Sequence, residues 1–395
     1  MLLVARYSLK GSGFRVQAPE FSRDTSALPV TPFRPGRTPP SALRLLFILL
    51  PSFSILLLTG CRPAQPEPLR VQWLNMGTVA AVQCADHAAA PQARDLSQAA
   101  FDDLDRELSA WKSDSALAYV NQAAGTSNAV AVSPSFAKVL GFALAIAKES
   151  DGAFNPLIGP VMRVWGFNGA DPRPALPAPA ELNAARALAD WHKLEFSTTK
   201  DGSCVRLLMP GMKLDLGAIA KGYAVDLAWE RLRNAGHTNL LIDLGGNLRA
   251  MGQAAPQRGG WRIGVRSPFD EKALIGFFIL RDGEAVATSG NYERFVEIDG
   301  VRYAHIMDSR TAAPVTGMAG TTVVAPDAMR ADALSTTLFV LGQQKGAALL
   351  RSHPGCEALW IPDSKPLTVI ATPGLAARLT PTGNTPYALT VITSH

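Results

Sequence analysis

Cysteine is scarce in this sequence, and its spacing excludes several kinds of site. Four cysteines occur among 395 residues, at positions 61, 84, 204 and 356. These separations are far too wide for a CxxC redox motif or a zinc ribbon, in which cysteines lie only a few residues apart. Cys84, Cys204 and Cys356 are therefore predicted to be buried structural residues.

The globular part of the chain also lacks an excess of charge. The whole sequence has 38 lysines and arginines against 33 aspartates and glutamates. The first 60 residues contain seven of the basic and two of the acidic residues, which leaves 31 of each kind for residues 61–395. A neutral body gives no electrostatic basis for binding nucleic acid, so we expect no nucleic-acid partner.

The apolar run Leu45–Leu58 is too short for a comfortable membrane span and follows several arginines. Such a run is typical of the apolar part of a secretory signal. It ends in Leu-Thr-Gly-Cys at residues 58–61, which resembles the lipobox of bacterial lipoproteins. This order predicts cleavage before Cys61 and lipidation of its sulfur, which would anchor a soluble domain to a membrane. The alternative is a plain signal peptide followed by an incidental cysteine.

These features predict four segments. Residues 1–40 are rich in proline, serine and arginine, and they form a disordered extension or result from a start site assigned too far upstream. Residues 41–60 are the lipoprotein signal peptide and residues 61–70 a linker. Residues 71–395 form the globular body, which is long enough to bury a core.

The segment Lys213–Asp226 contains the first candidate site. Its apolar beginning predicts a strand that contains Asp215, and Gly217 leads into a helix that contains Lys221. The start of a helix offers free backbone N–H groups and a positive dipole end, both of which favour a bound phosphate. The alternative is an ordinary surface pair formed by Asp215 and Lys221.

Glycines mark two further places where a ligand can approach the backbone. Gly77 interrupts a predicted strand from Val71 to Gln83, and Gly245 and Gly246 follow the apolar strand Asn239–Leu244. Gly77 would let either another backbone segment or a ligand approach closely, and Gly245 and Gly246 are predicted to contact a cofactor. For Gly245 and Gly246 the alternative is a tight turn with no ligand.

Aromatic residues suggest a wall for a flat ligand. Glycines, prolines and aromatics are concentrated in residues 152–167, between two predicted helices. An aromatic-stapled turn is the equal alternative. Trp111 ends the predicted amphipathic helix Ala93–Trp111, and on its position alone it is expected to be a core residue.

Oxygen-bearing side chains recur near the end of the chain. A helix predicted to begin at Asp327 contains Asp332, Ser335 and Thr336, which share one helical face because they are three and four residues apart. Converging oxygens of this kind suit Mg²⁺. The alternative is that the aspartate favours the helix N-terminus and the hydroxyls bond back to the helix. His305 ends a predicted hairpin strand, where either a structural or a catalytic role is open.

The order of these features resembles the ApbE family of FAD:protein FMN transferases. The matching strings, which include long specific ones, are N-M-G-T (75–78), S-x-W-x-x-D-S-x-L (109–117), G-A-F-N (152–155), W-G-F (165–167), L-D-L-G-A-I-A-K-G-Y-A-V-D (214–226), L-G-G-N (244–247), T-S-G-N-Y-E-R (288–294), H-I-M-D-S-R-T (305–311) and A-D-A-L-S-T-T (331–337).

The resemblance implies a single periplasmic α/β (α+β) domain of the T-fold-related ApbE type, with mixed sheets and surrounding helices, that binds FAD and Mg²⁺. Carried over by position, it implies FAD contacts from Met76, Trp111, Ala153, Phe154, Asn155, Asp215, Lys221 and Ile306. The implied Mg²⁺ ligands are the Ala218 backbone carbonyl, Asp332, Ser335 and Thr336. His305 matches a suspected proton acceptor, and Asp215 and Lys221 complete the expected catalytic set.

The implied reaction is Mg²⁺-dependent transfer of FMN from FAD to a threonine hydroxyl, with release of AMP. The implied acceptor is a membrane-bound redox subunit with a threonine flavinylation motif, and the implied location is the periplasmic side of the bacterial inner membrane. Mg²⁺-dependent hydrolysis of FAD and non-catalytic flavin binding are the alternatives.

The sequence departs from the family pattern at several positions. Asn155 replaces a usual aspartate, Trp111 a common tyrosine, Asn291 a common aspartate and Ala312 the glycine after Arg-Thr. The change at Asn155 is expected to affect how flavin is held or how much FAD is hydrolysed. The metal-ligand positions and the lysine are intact, so catalysis is still expected.

Overall fold

A computed structural model describes residues 67–167, 175–256, 258–383 and 385–392. The described residues form one compact unit. Cys61, the signal peptide and the N-terminal extension lie outside the described residues, so their assignments remain predictions. Within the described ranges, no helix combines the length and apolar character that crossing a bilayer would require.

The largest sheet in the described residues has nine strands, numbered here in chain order. Across the sheet they are β1 (Leu69–Asn75), β2 (Thr78–Cys84), β6 (Leu240–Leu244), β7 (Asn247–Met251), β10 (Ala285–Gly290), β15 (Met318–Ala325), β16 (Glu357–Pro362), β17 (Thr368–Ala371) and β19 (Ala388–Val391). Neighbouring strands are antiparallel except β17 and β19, which are parallel.

Smaller sheets surround this one. One contains β3 (Val130–Val132), β5 (Gly202–Leu207) and β4 (Leu194–Thr199), and another contains β18 (Thr380–Pro381), β9 (Leu274–Leu280) and β8 (Trp261–Arg266). Two separate hairpins pair β11 (Phe295–Ile298) with β12 (Val301–Ala304) and β13 (Met307–Asp308) with β14 (Ala313–Pro314).

The described residues form helices, three of which begin after a serine or aspartate whose side chain caps the helix. The helices are α1 (Ala90–Leu108), α2 (Ala116–Gln122), α3 (Pro134–Glu149), α4 (Gly159–Val164), α5 (Pro179–Leu188), α6 (Ala220–Asn234), α7 (Ala328–Leu350) and α8 (Pro373–Arg378). Ser115, Ser133 and Asp327 cap α2, α3 and α7, each accepting a hydrogen bond from a backbone N–H three residues later.

Helices and a second sheet cover opposite faces of the nine-stranded sheet. Helices α1, α6 and α7 pack on one face, and β8, β9 and α8 pack on the other. The alternation of side chains along a strand fixes which residues meet α7. In β10, Ala285 and Ala287 lie in the helical core, whereas Val286 lies in the opposite core. Ser289 follows this alternation and faces α7.

The predicted class, mixed sheets with surrounding helices, is confirmed, but two local predictions are wrong. Residues 71–83 are not one interrupted strand: β1 and β2 form a hairpin, with Met76 and Gly77 as its turn at φ of 45° and 69°. Residues 212–216 belong to no sheet. Backbone hydrogen bonds from Asp215 to Pro156 and side-chain bonds of Asn121 to Leu214 hold this segment instead.

The cysteines of the described residues are free thiols. Cys84 and Cys356 are buried and Cys204 is half-buried. Burial raises the pKa of both Cys84 and Cys356 to about 11. Such thiols stay protonated at neutral pH and are poor nucleophiles, which agrees with structural roles.

Candidate active site

Two helices that meet closely form the centre of the site. Gly222, in the first turn of α6, lies so near α7 that a Cβ atom added there would be 2.2 Å from the Ala328 carbonyl oxygen and 2.7 Å from Asp332 Cβ. Only glycine fits at this position without a shift of one helix. The contact places the start of α6 directly beside Asp332.

Each of these helices caps the other with an aspartate. The Gly222 N–H of α6 donates to Asp332 Oδ2 at 2.9 Å. In return, the Ala328 and Met329 N–H groups of α7 donate to the Asp226 carboxylate at 2.8 and 2.9 Å. Carboxylates at helix N-termini satisfy free N–H groups and complement the dipole. The reciprocal caps fix the two helices against each other, and with them the position of Asp332.

The two aspartates differ in their counter-charges. Asp226 pairs with Arg249 at 2.8 Å, yet burial still raises its pKa to about 6. Burial also raises the pKa of Asp332, against the attraction of Lys221 and hydrogen bonds from Gly222 and Asn247. The described residues place no basic side chain within ion-pair distance of Asp332. A bound cation would offset the cost of burying the negative charge of this carboxylate.

Three hydroxyl groups meet where the next turn of α7 packs on β10. Ser289 Oγ lies 2.9 Å from Ser335 Oγ and 3.2 Å from Thr336 Oγ1. Two buried oxygens close to this group have no hydrogen-bond partner: Asn247 Oδ1, and Thr321 Oγ1, whose residue pairs with Ser289 across the sheet. The alternative interpretation is partly correct as well, because Ser335 Oγ also donates back to the Asp332 carbonyl at 2.9 Å.

This donor set fits Mg²⁺. The described residues contain no cluster of three or more His, Cys, Asp or Glu side chains that could hold a metal. A cation here would therefore take one carboxylate, neutral oxygens and substrate phosphate, which is the ligand type that Mg²⁺ prefers. Asp332, Ser335 and Thr336 supply such oxygens, and Ala218 precedes α6 by two residues with its carbonyl as a further candidate. The unpartnered Asn247 Oδ1 shows that the group has spare acceptor capacity.

The predicted phosphate cradle at the start of α6 differs from the structure. The N–H groups of Ile219 and Ala220 donate to the Leu216 carbonyl, and that of Gly222 donates to Asp332. These donors are therefore already used within the protein. The side chain of Lys221 remains as the cation at this end, and its Nζ donates to the Gly217 carbonyl at 3.0 Å.

Asp215 organises the loop before α6. Its Oδ1 accepts from the Gly217 N–H at 2.9 Å, and its backbone N–H donates to Pro156. Its negative charge also acts on Arg294, whose pKa is lowered by burial and raised in part by Asp215. Asp215 therefore interacts with a charge beyond the predicted pair with Lys221.

His305 lies directly after β12 and is held by one backbone carbonyl. Its Nδ1 is 3.1 Å from the Arg294 carbonyl oxygen, which can only accept, so Nδ1 carries the proton and Nε2 has a free lone pair. Burial, Arg294 and Lys221 lower the pKa of His305 to about 4, although the side chain remains partly exposed. His305 is therefore a neutral, half-buried imidazole at neutral pH.

Trp111 is not a core residue, because 63% of it is exposed. The guanidinium of Arg294 lies 5.6 Å from the centre of its ring, and Arg294 also donates to the Phe167 carbonyl. An exposed indole beside a guanidinium is a suitable surface for stacking a flat ring. Arg294 ends the string T-S-G-N-Y-E-R but is not among the predicted site residues.

Residues 153–155 are buried in the surrounding structure. Asn155 donates to the Ala189 carbonyl at 2.7 Å and to Ser309 at 2.9 Å, and it accepts from the Leu157 N–H. Both amide hydrogens are thus used within the protein. Ala153 and Phe154 are buried as well, as is Ile306 beside His305.

Gly245 and Gly246 form the turn between β6 and β7. A Cβ atom at Gly245 would lie 2.7 Å from Thr78 Oγ1, so a neighbouring hairpin explains that glycine. The space around Gly246 is open, and its N–H donates to Asp243. The tight-turn alternative therefore accounts for Gly245 without a ligand.

Electrostatic contacts join five of the predicted site residues. Lys221 acts on both Asp332 and His305, and Arg294 acts on His305 while it interacts with Asp215. Trp111 joins this group through Arg294. The polar atoms of Asn155 are directed instead into a buried network of their own.

Met76 offers a test that separates ligand binding from stability. It occupies the left-handed region at φ of 45°, where a glycine would fit more easily, and it is half-buried. In Met76→Gly we expect an unfolding temperature equal to or above that of the wild type and a roughly tenfold weaker affinity for FAD, the equivalent of losing about 1.4 kcal/mol of contact. Thermal unfolding and flavin fluorescence titration measure the two effects, and unchanged FAD affinity would contradict the predicted contact.

Comparison with known proteins identifies the class to which this fold and site belong. The sequence profile of the ApbE family matches residues 76–360. The chain therefore belongs to the ApbE family.

Individual relatives agree with this. The chain is 40% identical over 284 residues to the FAD:protein FMN transferase of Treponema pallidum, a match that covers 69% of this chain and 77% of that protein. It is similar in structure to the flavin transferase ApbE of Vibrio cholerae, with TM-score 0.68 and 28% identity over 79% of this chain and 100% of that one. The ApbE protein of Thermotoga maritima matches with TM-score 0.71 and 27% identity, over 80% and 100%.

Proposed function

We propose that this chain is an FAD:protein FMN transferase that uses Mg²⁺, modifies a threonine hydroxyl of a redox protein and releases AMP. The names of its relatives support FAD and a protein acceptor. The observation that carries the rest is the buried Asp332 on the same helix as Ser335 and Thr336, together with Lys221, whose charge acts on both Asp332 and His305.

The residues proposed to hold the metal are Asp332, Ser335, Thr336 and the Ala218 carbonyl. When bound, Mg²⁺ supplies positive charge that polarises the pyrophosphate and stabilises the leaving phosphate. Lys221 adds a second positive charge at the start of α6, and Arg294 and Trp111 form the wall against which a flat ring of FAD stacks. Phosphoryl transfer needs mainly positioning and charge neutralisation, which this set of residues provides.

His305 is proposed to accept the proton of the incoming threonine. The threonine Oγ forms a bond to the phosphorus of the FMN half, and the bond from that phosphorus to the bridging oxygen breaks. AMP leaves with the bridging oxygen, and the threonine proton moves to His305 Nε2. The hydrogen bond from Nδ1 to the Arg294 carbonyl keeps Nε2 free for this role.

The variant His305→Asn tests this assignment. Asparagine can keep the hydrogen bond to the Arg294 carbonyl but has no group at the position of Nε2. We expect FMN transfer to slow by about 10²- to 10⁴-fold, with little change in FAD affinity. In the wild type, kcat/KM should stay level from pH 8 to about 5 and fall near pH 4, because protonation of His305, with its pKa of about 4, removes the base. A variant with wild-type transfer rates would rule His305 out.

The reaction itself is tested by mixing the protein with FAD, Mg²⁺ and a domain that carries a threonine flavinylation motif. Transfer leaves yellow fluorescence on the acceptor in a denaturing gel and produces AMP. Free FMN with AMP and an unlabelled acceptor would indicate hydrolysis instead, and the absence of AMP would indicate flavin binding without catalysis. We also propose that lipid on Cys61 holds the domain at the periplasmic side of the inner membrane, close to a membrane-bound acceptor.

A further inference from the structure

Ser289 lies beneath the predicted metal ligands without being one of them. It belongs to β10, whose alternation directs its side chain towards α7. Its Oγ is 2.9 Å from Ser335 Oγ and 3.2 Å from Thr336 Oγ1, so one hydroxyl contacts both. Ser289 and Thr336 are half-buried and Ser335 is buried, so the three hydroxyls lie at the edge of the core.

The direction of the hydrogen bonds in this group is fixed by counting protons. Ser335 Oγ donates its only proton to the Asp332 carbonyl oxygen at 2.9 Å. The bond between Ser335 and Ser289 must therefore be donated by Ser289. Since Ser289 then has no further proton, Thr336 must donate to Ser289. The hydroxyls form a one-way chain from Thr336 through Ser289 and Ser335 to the backbone of α7.

We infer that Ser289 is a positioning residue, which orients the hydroxyls of Ser335 and Thr336 so that their lone pairs are available to a divalent cation. The inference rests on the proposed function. A hydroxyl can bind a cation only through oxygen, and its proton must point elsewhere. Ser289 accepts the proton of Thr336, and its own donation occupies one lone pair of Ser335 Oγ and so fixes the direction of the other, which remains for the cation.

Without Ser289, both ligands lose a partner that fixes their orientation. The Thr336 hydroxyl would be free to rotate, so its proton could point at the cation. Ser335 would keep its hydrogen bond to the Asp332 carbonyl, which holds the Ser335 side chain. That bond would not restrain the side chain of Thr336. Partners that orient metal ligands typically contribute about 10- to 100-fold to metal affinity.

The matched control is the next residue along the same strand. Thr288 points to the opposite face, where its Oγ1 lies 2.9 Å from Thr322 Oγ1. Ser289→Ala and Thr288→Val each remove one hydroxyl from a hydroxyl pair in β10. They differ in the face of the sheet that they affect, so only the first alters the surroundings of Ser335 and Thr336.

The test measures binding of Mn²⁺, a spectroscopic substitute for Mg²⁺, by the loss of the free Mn²⁺ signal in electron paramagnetic resonance. Wild-type protein and both variants are titrated in the absence of FAD, and thermal unfolding without metal is recorded for each. We expect Ser289→Ala to weaken Mn²⁺ binding about tenfold or more, with an unfolding temperature close to that of the wild type. Thr288→Val should bind Mn²⁺ as the wild type does.

Equal Mn²⁺ affinity in Ser289→Ala and the wild type would overturn the role of Ser289 while leaving the metal site intact. Equal weakening in both variants would also overturn it, because the effect would then come from the strand and not from the hydroxyl chain. Substrate phosphate is one of the expected ligands, so a wild-type protein that binds no Mn²⁺ alone is titrated again with FAD, against FAD without protein. If the protein still adds no Mn²⁺ binding, the metal-dependent part of the proposed function is removed, and the role of Ser289 with it. Failure of the inference and failure of the function are thus distinguished by the wild type.

Discussion

Asp332→Asn is expected to abolish FMN transfer while the protein remains folded. The asparagine oxygen can still accept the hydrogen bond from the Gly222 N–H, so the cap on α6 is preserved. The negative charge, which is the only one among the predicted metal ligands, is lost. We expect kcat/KM to fall roughly 10³-fold or more, the scale of losing a main charge-stabilising group, and Mg²⁺ to have no further effect on the residual rate.

The thermal stability of Asp332→Asn should not fall with its activity. Burial raises the pKa of Asp332, which means that the ionised carboxylate is unfavourable in the metal-free protein. A neutral amide removes that cost, so the unfolding temperature without metal is expected to be equal to or above that of the wild type at pH 8. The pKa of Asp332 is raised in the folded state, so Asp332 becomes protonated in the folded protein as the pH falls. The difference in unfolding temperature between the wild type and Asp332→Asn should therefore shrink at lower pH.

Asp327→Asn is the control for this prediction. Asp327 precedes the same helix, and its Oδ1 caps α7 by accepting from the Arg330 N–H, a role that asparagine also fills. Its carboxylate takes no part in the predicted metal site. FMN transfer by Asp327→Asn should match the wild type, and a similar loss in both variants would show that the helix, not the carboxylate at 332, is responsible.

Local spacing was enough to predict the part of the site that lies on one helix. Asp332, Ser335 and Thr336 are three and four residues apart, and α7 does direct the serine and the threonine towards the same Ser289. The side-chain caps at Ser115, Ser133 and Asp327 are local features as well, because each joins residues three positions apart. The Asp-Gly pairs at 201–202 and 299–300, which suit tight turns, likewise lie at the turns of two hairpins.

Contacts between distant segments were not predictable in this way. Ser289 meets Ser335 across 46 residues, and Asp226 meets Ala328 across 102. Nothing in the local sequence of Asp226 or Ser289 distinguishes a residue that caps another helix from one on a solvated face. Arg294 was missed for the same reason, since its importance comes from Trp111, Asp215 and His305, which other elements place around it.

The incorrect prediction of a phosphate cradle has the same origin. Free N–H groups at a helix start attract an anion, and the structure supplies one from within the protein, the carboxylate of Asp332. Sequence patterns predict the attraction but not its partner. Ala312 gives a related example: it replaces the glycine expected from the family yet keeps φ at 55°, because Trp165 donates to its carbonyl and it is fully buried.

Gly222→Ala adds a single methyl group and is expected to be the most destabilising such addition in this region. Its Cβ would lie 2.2 Å from the Ala328 carbonyl oxygen and 2.7 Å from Asp332 Cβ, distances that real Cβ atoms do not reach. The neighbours are backbone and a short side chain, so no flexible group can move aside. Overpacking typically costs about 1–3 kcal/mol and can cost more, and relief here requires the two helices to separate.

That separation links stability to chemistry, because the same contact carries the caps between α6 and α7. Moving the helices apart breaks the bond from the Gly222 N–H to Asp332 and shifts the carboxylate away from Lys221. Gly222→Ala should therefore lower both the unfolding temperature and the Mn²⁺ affinity. Gly141→Ala in α3 is the matched control, since its Cβ would meet only Phe196 at an ordinary 3.5 Å, and it should raise stability by about 0.5–1 kcal/mol. If Gly222→Ala has the unfolding temperature and the Mn²⁺ affinity of the wild type, the close packing of α6 on α7 does not position the site.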